Sequence, residues 1–350
     1  AGDDYTVTSI GNNAFTGNTS ITSVTLPDTI TSIGNGAFQN CSNLTTINLP
    51  EGLTEIGNNA FNNCGNLTDI VLPDTLTTIG NNAFFNCTSI SGTLNIPASV
   101  ESIGSQALVL VGLEEFTVDA DSQHFTAVDG ILYSKDMTRL IVYPTEKVCV
   151  NFVMPNTVEI IEGGAFRICH GLSGTLTLST SLKTIKTLAF YFCENINGTL
   201  TIPANVTTIE SYAFGHSRFS GYEVAAGNTA YMSEDGVLYN KDQTTIVQYP
   251  RGKTGTSFTI PSTVTHIESH AFGSCTNLTS ITLSANLESI GSLAFYRAAN
   301  LTGALEIPST VTTIGSGPFA GCNFSSFSID NDYYTTCLLY TSDAADDLTR

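Results

Sequence analysis

Apolar and polar positions along this chain follow one phrase that returns at a fixed step. In residues 33–50 it reads IGNGAFQNCSNLTTINLP. An Ala-Phe pair is its anchor: Ala14-Phe15, Ala37-Phe38, Ala60-Phe61, Ala83-Phe84, Ala107-Leu108, Ala165-Phe166, Ala189-Phe190, Ala213-Phe214, Ala271-Phe272, Ala294-Phe295 and Pro318-Phe319. Successive anchors lie 23, 23, 23, 24, 58, 24, 24, 58, 23 and 24 residues apart. A period in the twenties predicts a solenoid, in which each unit buries its apolar face only by stacking on its neighbours. Residues 1–336 are therefore expected to form a single repeat solenoid.

Two strands are predicted in each unit. In residues 44–50 Ile47 and Leu49 alternate inward and Pro50 ends the run; residues 53–56 form the second strand, closed by Gly57. Residues 58–64 are expected to return the chain as one short helical or 3₁₀ turn, with Asn and Gly at corners that need left-handed backbone. The units near 109–155 and 215–261 are longer, and residues 116–144 match residues 222–250 at an offset of 106. Each is read as an inserted β-hairpin, because an Asp-Gly pair precedes an apolar run and a Lys-Asp pair precedes a second run ending in Tyr-Pro. A third copy starts at Phe327, with Asn331 and Tyr334 in the places of Asn228 and Tyr231. From Cys337 the string CLLYTSDAAD resembles a translated transposase-end sequencing adapter, so residues 337–350 are expected to be a non-native tail. Ala1 enters mid-repeat, which reads as a fragment lacking its N-terminal cap.

Composition narrows the function. Charged residues are 12% of the chain, and Thr, Ser and Asn fill the polar positions of the repeat, as suits short stacked strands. The formal net charge is −19, and no Lys or Arg precedes Lys135 although that segment carries 13 Asp and Glu. Nucleic acid and anionic membrane are poor partners for such a surface. No run of 18 apolar residues is present, so no membrane span is expected.

Seven of the nine cysteines stand three residues after the anchor: Cys41, Cys64, Cys87, Cys169, Cys193, Cys275 and Cys322. Asn18, Val111, Ser217 and Ala298 take the same slot elsewhere, which calls for a small buried side chain rather than a disulfide or a metal ligand. Other strings imitate chemistry without completing it. Residues 215–219, GHSRF, lack the final glycine of a nucleophile elbow, and Ser217 belongs to the small-residue column. The GKT at 252–254 lacks the first glycine of a phosphate loop. His266 lies in a strand, so it shares no helical face with His270. Asp119, Asp121, Glu234 and Asp235 are read as solvated acids before calcium ligands. No catalytic, cofactor or metal residues are assigned.

The phrase IGxxAFxxCxxLTxIxLP, with DGVLYxKDxT and a closing Tyr-Pro in the long units, resembles the BspA-like leucine-rich repeat proteins from Val7 to Thr336. The resemblance implies a right-handed, β-rich leucine-rich-repeat solenoid on an extracellular or cell-surface protein of host-associated microbes. It implies adhesion or binding of an extracellular protein or glycan, no enzymatic activity and no cofactor. Two readings stay beside it: the targeting arm of a larger secreted enzyme, and a glycan-binding module.

Two candidate surfaces follow. The first is the outward row of the first strands: Thr46, Asn48, Asp69, Thr93, Asn95, Thr175, Thr177, Thr199, Thr201, Thr282 and Glu306. Of the 26 such positions 15 are Ser or Thr and none is aromatic, Lys or Arg, so ordinary anchors of protein interfaces are missing. The second is the long units, with Tyr133, Lys135, Arg139, Tyr143 and Lys147 in one and Tyr231, Tyr239, Lys241, Tyr249, Arg251 and Lys253 in the other. These tyrosines and cations are expected either to contact a partner or to pack the hairpins onto the solenoid edge.

Overall fold

The computed structural model describes residues 6–329. The expected non-native tail, with Cys337, and the Asn331 and Tyr334 of a third copy lie outside the described residues. The chain divides into two compact units, Ala1–Cys149 with Thr157–Leu172, and Val150–Asn156 with Ser173–Arg350. Each is a β-solenoid of stacked coils.

In the first unit the second strands of successive coils form a five-stranded parallel sheet: Ser9–Ile10, Ser32–Ile33, Glu55–Ile56, Thr78–Ile79 and Ser102–Ile103. Its register keeps Ile10, Ile33, Ile56, Ile79 and Ile103 in one line. The first strands, expected to carry the main sheet face, form shorter ladders, such as Ser23–Val24 on Thr46–Ile47 and Gly92–Ile96 on Leu113–Val118. Proline accounts for part of this, since Pro27, Pro50, Pro73 and Pro97 have no N–H to extend a ladder. Side chains take over there: Asn48 Oδ1 accepts the Leu26 N–H at 2.7 Å while its Nδ2 donates to Leu26 O at 3.0 Å.

Among the described residues no helix is found; the return after each glycine is a run of turns. Asn13, Asn40, Asn59, Asn63, Asn82 and Asn86 sit there at φ between 52° and 61°, a region that Asn tolerates because its short amide can bond locally. In the first five coils glycine ends the second strand, and stacking distance explains it. A Cβ on Gly57 would stand 2.7 Å from Asn35 N of the coil before. The Asn of the repeated NLT phrase is structural as well: Asn43 and Asn66 donate to Thr19 O and Ser42 O one coil back.

The anchor column closes the stack. The amide of Phe15 donates to Ala37 O, Phe38 to Ala60 O and Phe61 to Ala83 O, at 2.7, 2.8 and 2.7 Å. The rings of Phe15, Phe38, Phe61 and Phe84 lie face to face at 5.1, 5.4 and 5.1 Å. Three residues on, Cys41, Cys64 and Cys87 donate their thiols to Phe15 O, Phe38 O and Phe61 O at 3.0, 3.1 and 3.1 Å. Ser217 does the same to Phe190 O with its hydroxyl. Cys and Ser thus add a donor to that carbonyl, while Val111 and Ala298 fill the slot as small buried groups without one. All eight described cysteines are free, and burial pushes the Cys64 thiol up to about 12.

The long units hold the main correction. Each contains three antiparallel strands, Phe125–Val128, Ile131–Ser134 and Arg139–Val142 in the first unit, and Tyr231–Glu234, Val237–Asn240 and Thr245–Gln248 in the second. The last strand of each trio runs parallel to the next coil, with Leu140 opposite Ile161 and Ile246 opposite Ile267. Tyr143 and Tyr249 then stand in the anchor slot itself. Their amides donate to Ala165 O and Ala271 O at 2.8 Å, and their rings stack on Phe166 and Phe272 at 5.2 and 5.1 Å. Each 58-residue step thus hides a further coil, 35 residues to the tyrosine and 23 beyond it.

The thiol column gives a direct test. Cys64→Ser keeps a donor on Phe38 O and is expected to hold its urea midpoint close to wild type. Cys64→Ala removes the second donor on Phe38 O, which keeps the Cys41 N–H at 3.1 Å, and is expected to lose about 0.5–1.5 kcal/mol. Equal losses in the two variants would contradict the donor role.

Candidate functional site

The strand register presents the first candidate surface outward. Thr46, Asn48, Asp69, Thr93 and Asn95 of the first unit are exposed, as are Thr175, Thr177, Thr199, Thr201, Thr282 and Glu306 of the second. Their inner neighbours Ile47, Ile70, Leu94, Leu176, Leu200 and Leu305 are buried. Several of the outward polar groups also bond to one another. Asn95 Nδ2 donates to Asp119 Oδ1 at 2.8 Å while Thr117 donates to Asn95 Oδ1 at 2.9 Å. In the second unit Thr282 and Glu306 share a hollow of ≈ 770 Å³ with Leu283, Leu305 and Ile307. That hollow offers apolar side chains beside one carboxylate, a mixture the residue types alone do not reveal.

The second candidate surface is largely internal. Tyr133, Tyr143, Tyr239 and Tyr249 are 1% exposed each, and burial pushes their phenols above the usual range. They are core residues and cannot serve as partner contacts. Tyr231 is half-buried, and its hydroxyl accepts the Ile209 N–H at 2.8 Å. Most of the cations are tied down as well. Arg139 lies on Glu162 at 2.6 Å and Lys147 on Glu115 at 3.5 Å. Arg251 donates to Glu194 Oε1 and His216 O at 2.8 and 2.7 Å. Lys241 reaches Asn228 O at 2.7 Å, and Lys253 caps Asp235 O. Lys135 is exposed at the tip of its turn. The reason is the stacking geometry: a long unit must be fastened to a coil, and its own tyrosines and cations do this.

The structure opens a cleft of ≈ 280 Å³ at the second long unit, lined by Ile209, Glu210, Tyr231, Thr245, Gln248 and Glu268 among others. Sequence reasoning missed it, although the offset of 106 between the long units aligns the residues that create it. Among the described residues no three His, Cys, Asp or Glu side chains converge to hold a metal ion. Asp119, one of the weighed calcium candidates, spends Oδ1 on Asn95 and Oδ2 on Ala98 N.

The two motif histidines lie in an aromatic cluster of the second unit. His216 stacks on Phe192 at 4.3 Å, His270 meets Tyr212 at 4.3 Å, and the two imidazoles are 5.4 Å apart. His216 Nδ1 pairs with Ser274 Oγ at 2.6 Å, not with Ser217. His266 is exposed on its strand and does not join this cluster. Burial holds His216 down to about 3, with His270, Arg251 and Arg297 adding to the effect, and burial holds His270 down to about 4. Both are therefore neutral in the folded chain. As pH falls below the unfolded value near 6.5, the unfolded chain takes up protons that these buried rings refuse, so stability falls from there toward pH 4. At pH 5 the loss is expected to be about 2 kcal/mol for each histidine. Urea unfolding at pH 7 and pH 5 checks this: His270→Phe should lose less on acidification than wild type, and an equal loss would contradict it.

Comparison with known proteins agrees with the repeat geometry. The chain matches the model of the BspA type leucine rich repeat region in six copies, over residues 8–127, 146–254 and 251–337. Among solved structures it is similar to a leucine-rich repeat protein from Eubacterium ventriosum, at 27% identity and a TM-score of 0.63, covering 90% of this chain and 80% of that one. A leucine-rich repeat protein from Bacteroides ovatus is similar at 24% identity and a TM-score of 0.45, over 91% and 81% of the two chains. A leucine rich cell surface protein from Faecalibacterium prausnitzii is similar at 22% identity and a TM-score of 0.44, over 95% and 86%. No curated protein matches the sequence. Coils of 23 or 24 residues, the anchor column and the family match agree: this chain belongs to the BspA-type leucine-rich repeat family.

Proposed function

We propose that this chain is an extracellular, cell-surface repeat scaffold that binds proteins and serves adhesion, through the outward row of its first strands. The observation that carries the reading is that row: Thr46, Asn48, Asp69, Thr93 and Asn95 in one unit and Thr175, Thr177, Thr199, Thr201, Thr282 and Glu306 in the other are all exposed, over neighbours that are buried or, beside Thr282, half-buried. The family and fold are those of repeat scaffolds rather than enzymes. No helix among the described residues is long and apolar enough to cross a membrane.

The charge favours one kind of partner. With 31 acidic and 12 basic residues, and many of those bases engaged within the chain, the available surface charge is carboxylate. A basic protein surface fits it, and nucleic acid does not. The Thr282–Glu306 hollow supplies the apolar footing that the hydroxyl rows lack. Lys135 is the long-unit cation free to join such a contact.

The test uses purified extracellular-matrix proteins against the immobilised chain, at low and high salt. The expected outcome is a saturable, salt-sensitive partner whose affinity falls at least about tenfold, or about 1.4 kcal/mol, in the double variant Asp69→Lys/Glu306→Lys. The melting temperature of that variant should stay close to wild type, because both substitutions are on the surface. Equal binding by the variant would remove the strand row from the contact. A panel in which nothing binds would count against the adhesive role.

A further inference from the structure

The two long units are internal copies, and at one place they differ in kind. At the 106-residue offset, Thr245, Glu268, Glu210, Gln248 and Tyr231 correspond to Arg139, Glu162, Gly104, Val142 and Phe125. In the first copy Arg139 lies against Glu162, with Nε and Nη2 at 2.7 and 2.6 Å from Oε1. Val142 and Phe125 of that copy are buried and apolar. The second copy keeps the carboxylate at 268 and removes the arginine. It also adds a carboxylate at 210, an amide at 248 and a hydroxyl at 231. The cleft of ≈ 280 Å³ is lined by all five of these second-copy residues.

Its polar groups are short of donors. The Glu268 carboxylate has no hydrogen-bond or ion-pair partner among the described residues. Gln248 is 5% exposed, and its Nε2 is spent on Tyr249 O and Ala271 O at 3.1 and 3.0 Å, which leaves Oε1 without a protein donor. Glu210 accepts from Thr187 N and Oγ1 through Oε2, leaving Oε1. Gln248 Oε1 and the exposed Glu268 carboxylate therefore keep acceptor capacity for a ligand in the cleft. They line one space with Glu210, and the first copy meets the corresponding carboxylate with a guanidinium, so a cationic donor fits the cleft.

We propose that this cleft is a guanidinium slot that takes an arginine side chain from a partner protein, in the place that the first copy fills with its own Arg139. A guanidinium is planar, with donors along several edges, and can serve Glu268 and the Gln248 Oε1 together; an ammonium is a compact, strongly hydrated point charge. A divalent cation is the poorer fit, because no three such ligands converge among the described residues. Only the origin of the arginine in a protein rests on the scaffold reading; occupancy of the slot does not.

The experiment is an NMR titration of the whole chain with the N-acetyl amides of arginine, lysine and citrulline. The arginine probe is expected to give saturable shifts at Ile209 and Gln248, the lysine probe to bind at least about fivefold more weakly, and neutral citrulline to give none. Glu268→Gln should weaken the arginine probe at least about tenfold. Thr245→Arg rebuilds the first-copy pair with Glu268 and should abolish binding while the melting temperature holds or rises. Equal shifts from citrulline, or unchanged arginine binding by Thr245→Arg, would overturn the slot. So would the absence of any shift, and that result would leave the strand-row contact with matrix proteins standing or falling on its own assay.

Discussion

The distance between successive coils governs everything else in this molecule. Coils approach until the anchor amide of one reaches the alanine carbonyl of the next, 2.7 Å in the case of Phe15 and Ala37. Where glycine follows isoleucine, as at Gly57, that spacing leaves the strand end no room for a Cβ, whereas Glu162, Lys186, Glu210 and Glu268 take the position in other coils. Aromatic rings at the anchor are held within stacking range, which favours offset faces. The corner backbone must turn left-handed, so Asn fills it in the early coils. The anchor carbonyl accepts the amide three residues on, and a small thiol from the next coil adds a second bond without breaking the stack. Each feature of the repeated phrase answers one requirement of the same approach.

Later coils meet these requirements differently. In the second unit the left-handed corners hold Phe192, Tyr212, His216 and His270 at φ between 57° and 61°, conformations that are unfavourable for such side chains. Their rings pack on one another, as in the Phe192–His216 stack at 4.3 Å, and this contact offsets the backbone cost. The exchange trades polar corner bonds for a buried aromatic cluster. Acid sensitivity then follows from the two neutral imidazoles inside it.

The period, the anchor, the thiol column and the outward exposure of the strand rows were legible in the sequence, because each reflects contacts to the residue one coil away. The long units were less so. Tyr143 and Tyr249 do not resemble an Ala-Phe anchor, since the turn before them is two residues shorter than from Ile161 to Phe166, and only the shared stacking reveals the hidden coil. Tyrosine and arginine also suggested a contact surface there, whereas four tyrosines are core and most of the cations bond to nearby oxygens. The acceptor-lined cleft escaped notice because its residues are spread from 207 to 269. It was recoverable from the internal alignment, where the arginine that pairs with Glu162 gives way to Thr245 while the carboxylate is kept as Glu268.

Native-state hydrogen exchange tests the stacking account most directly, read at the amides of Phe38, Phe61, Tyr143 and Tyr249. If the tyrosines are anchors, their amides are bonded across coils and should exchange as slowly as those of the phenylalanines, through opening of the stack. Exchange of Tyr143 and Tyr249 at the rate of exposed turn amides such as that of Asp136 would contradict the account. The long units would then be loosely attached insertions, not coils of the solenoid.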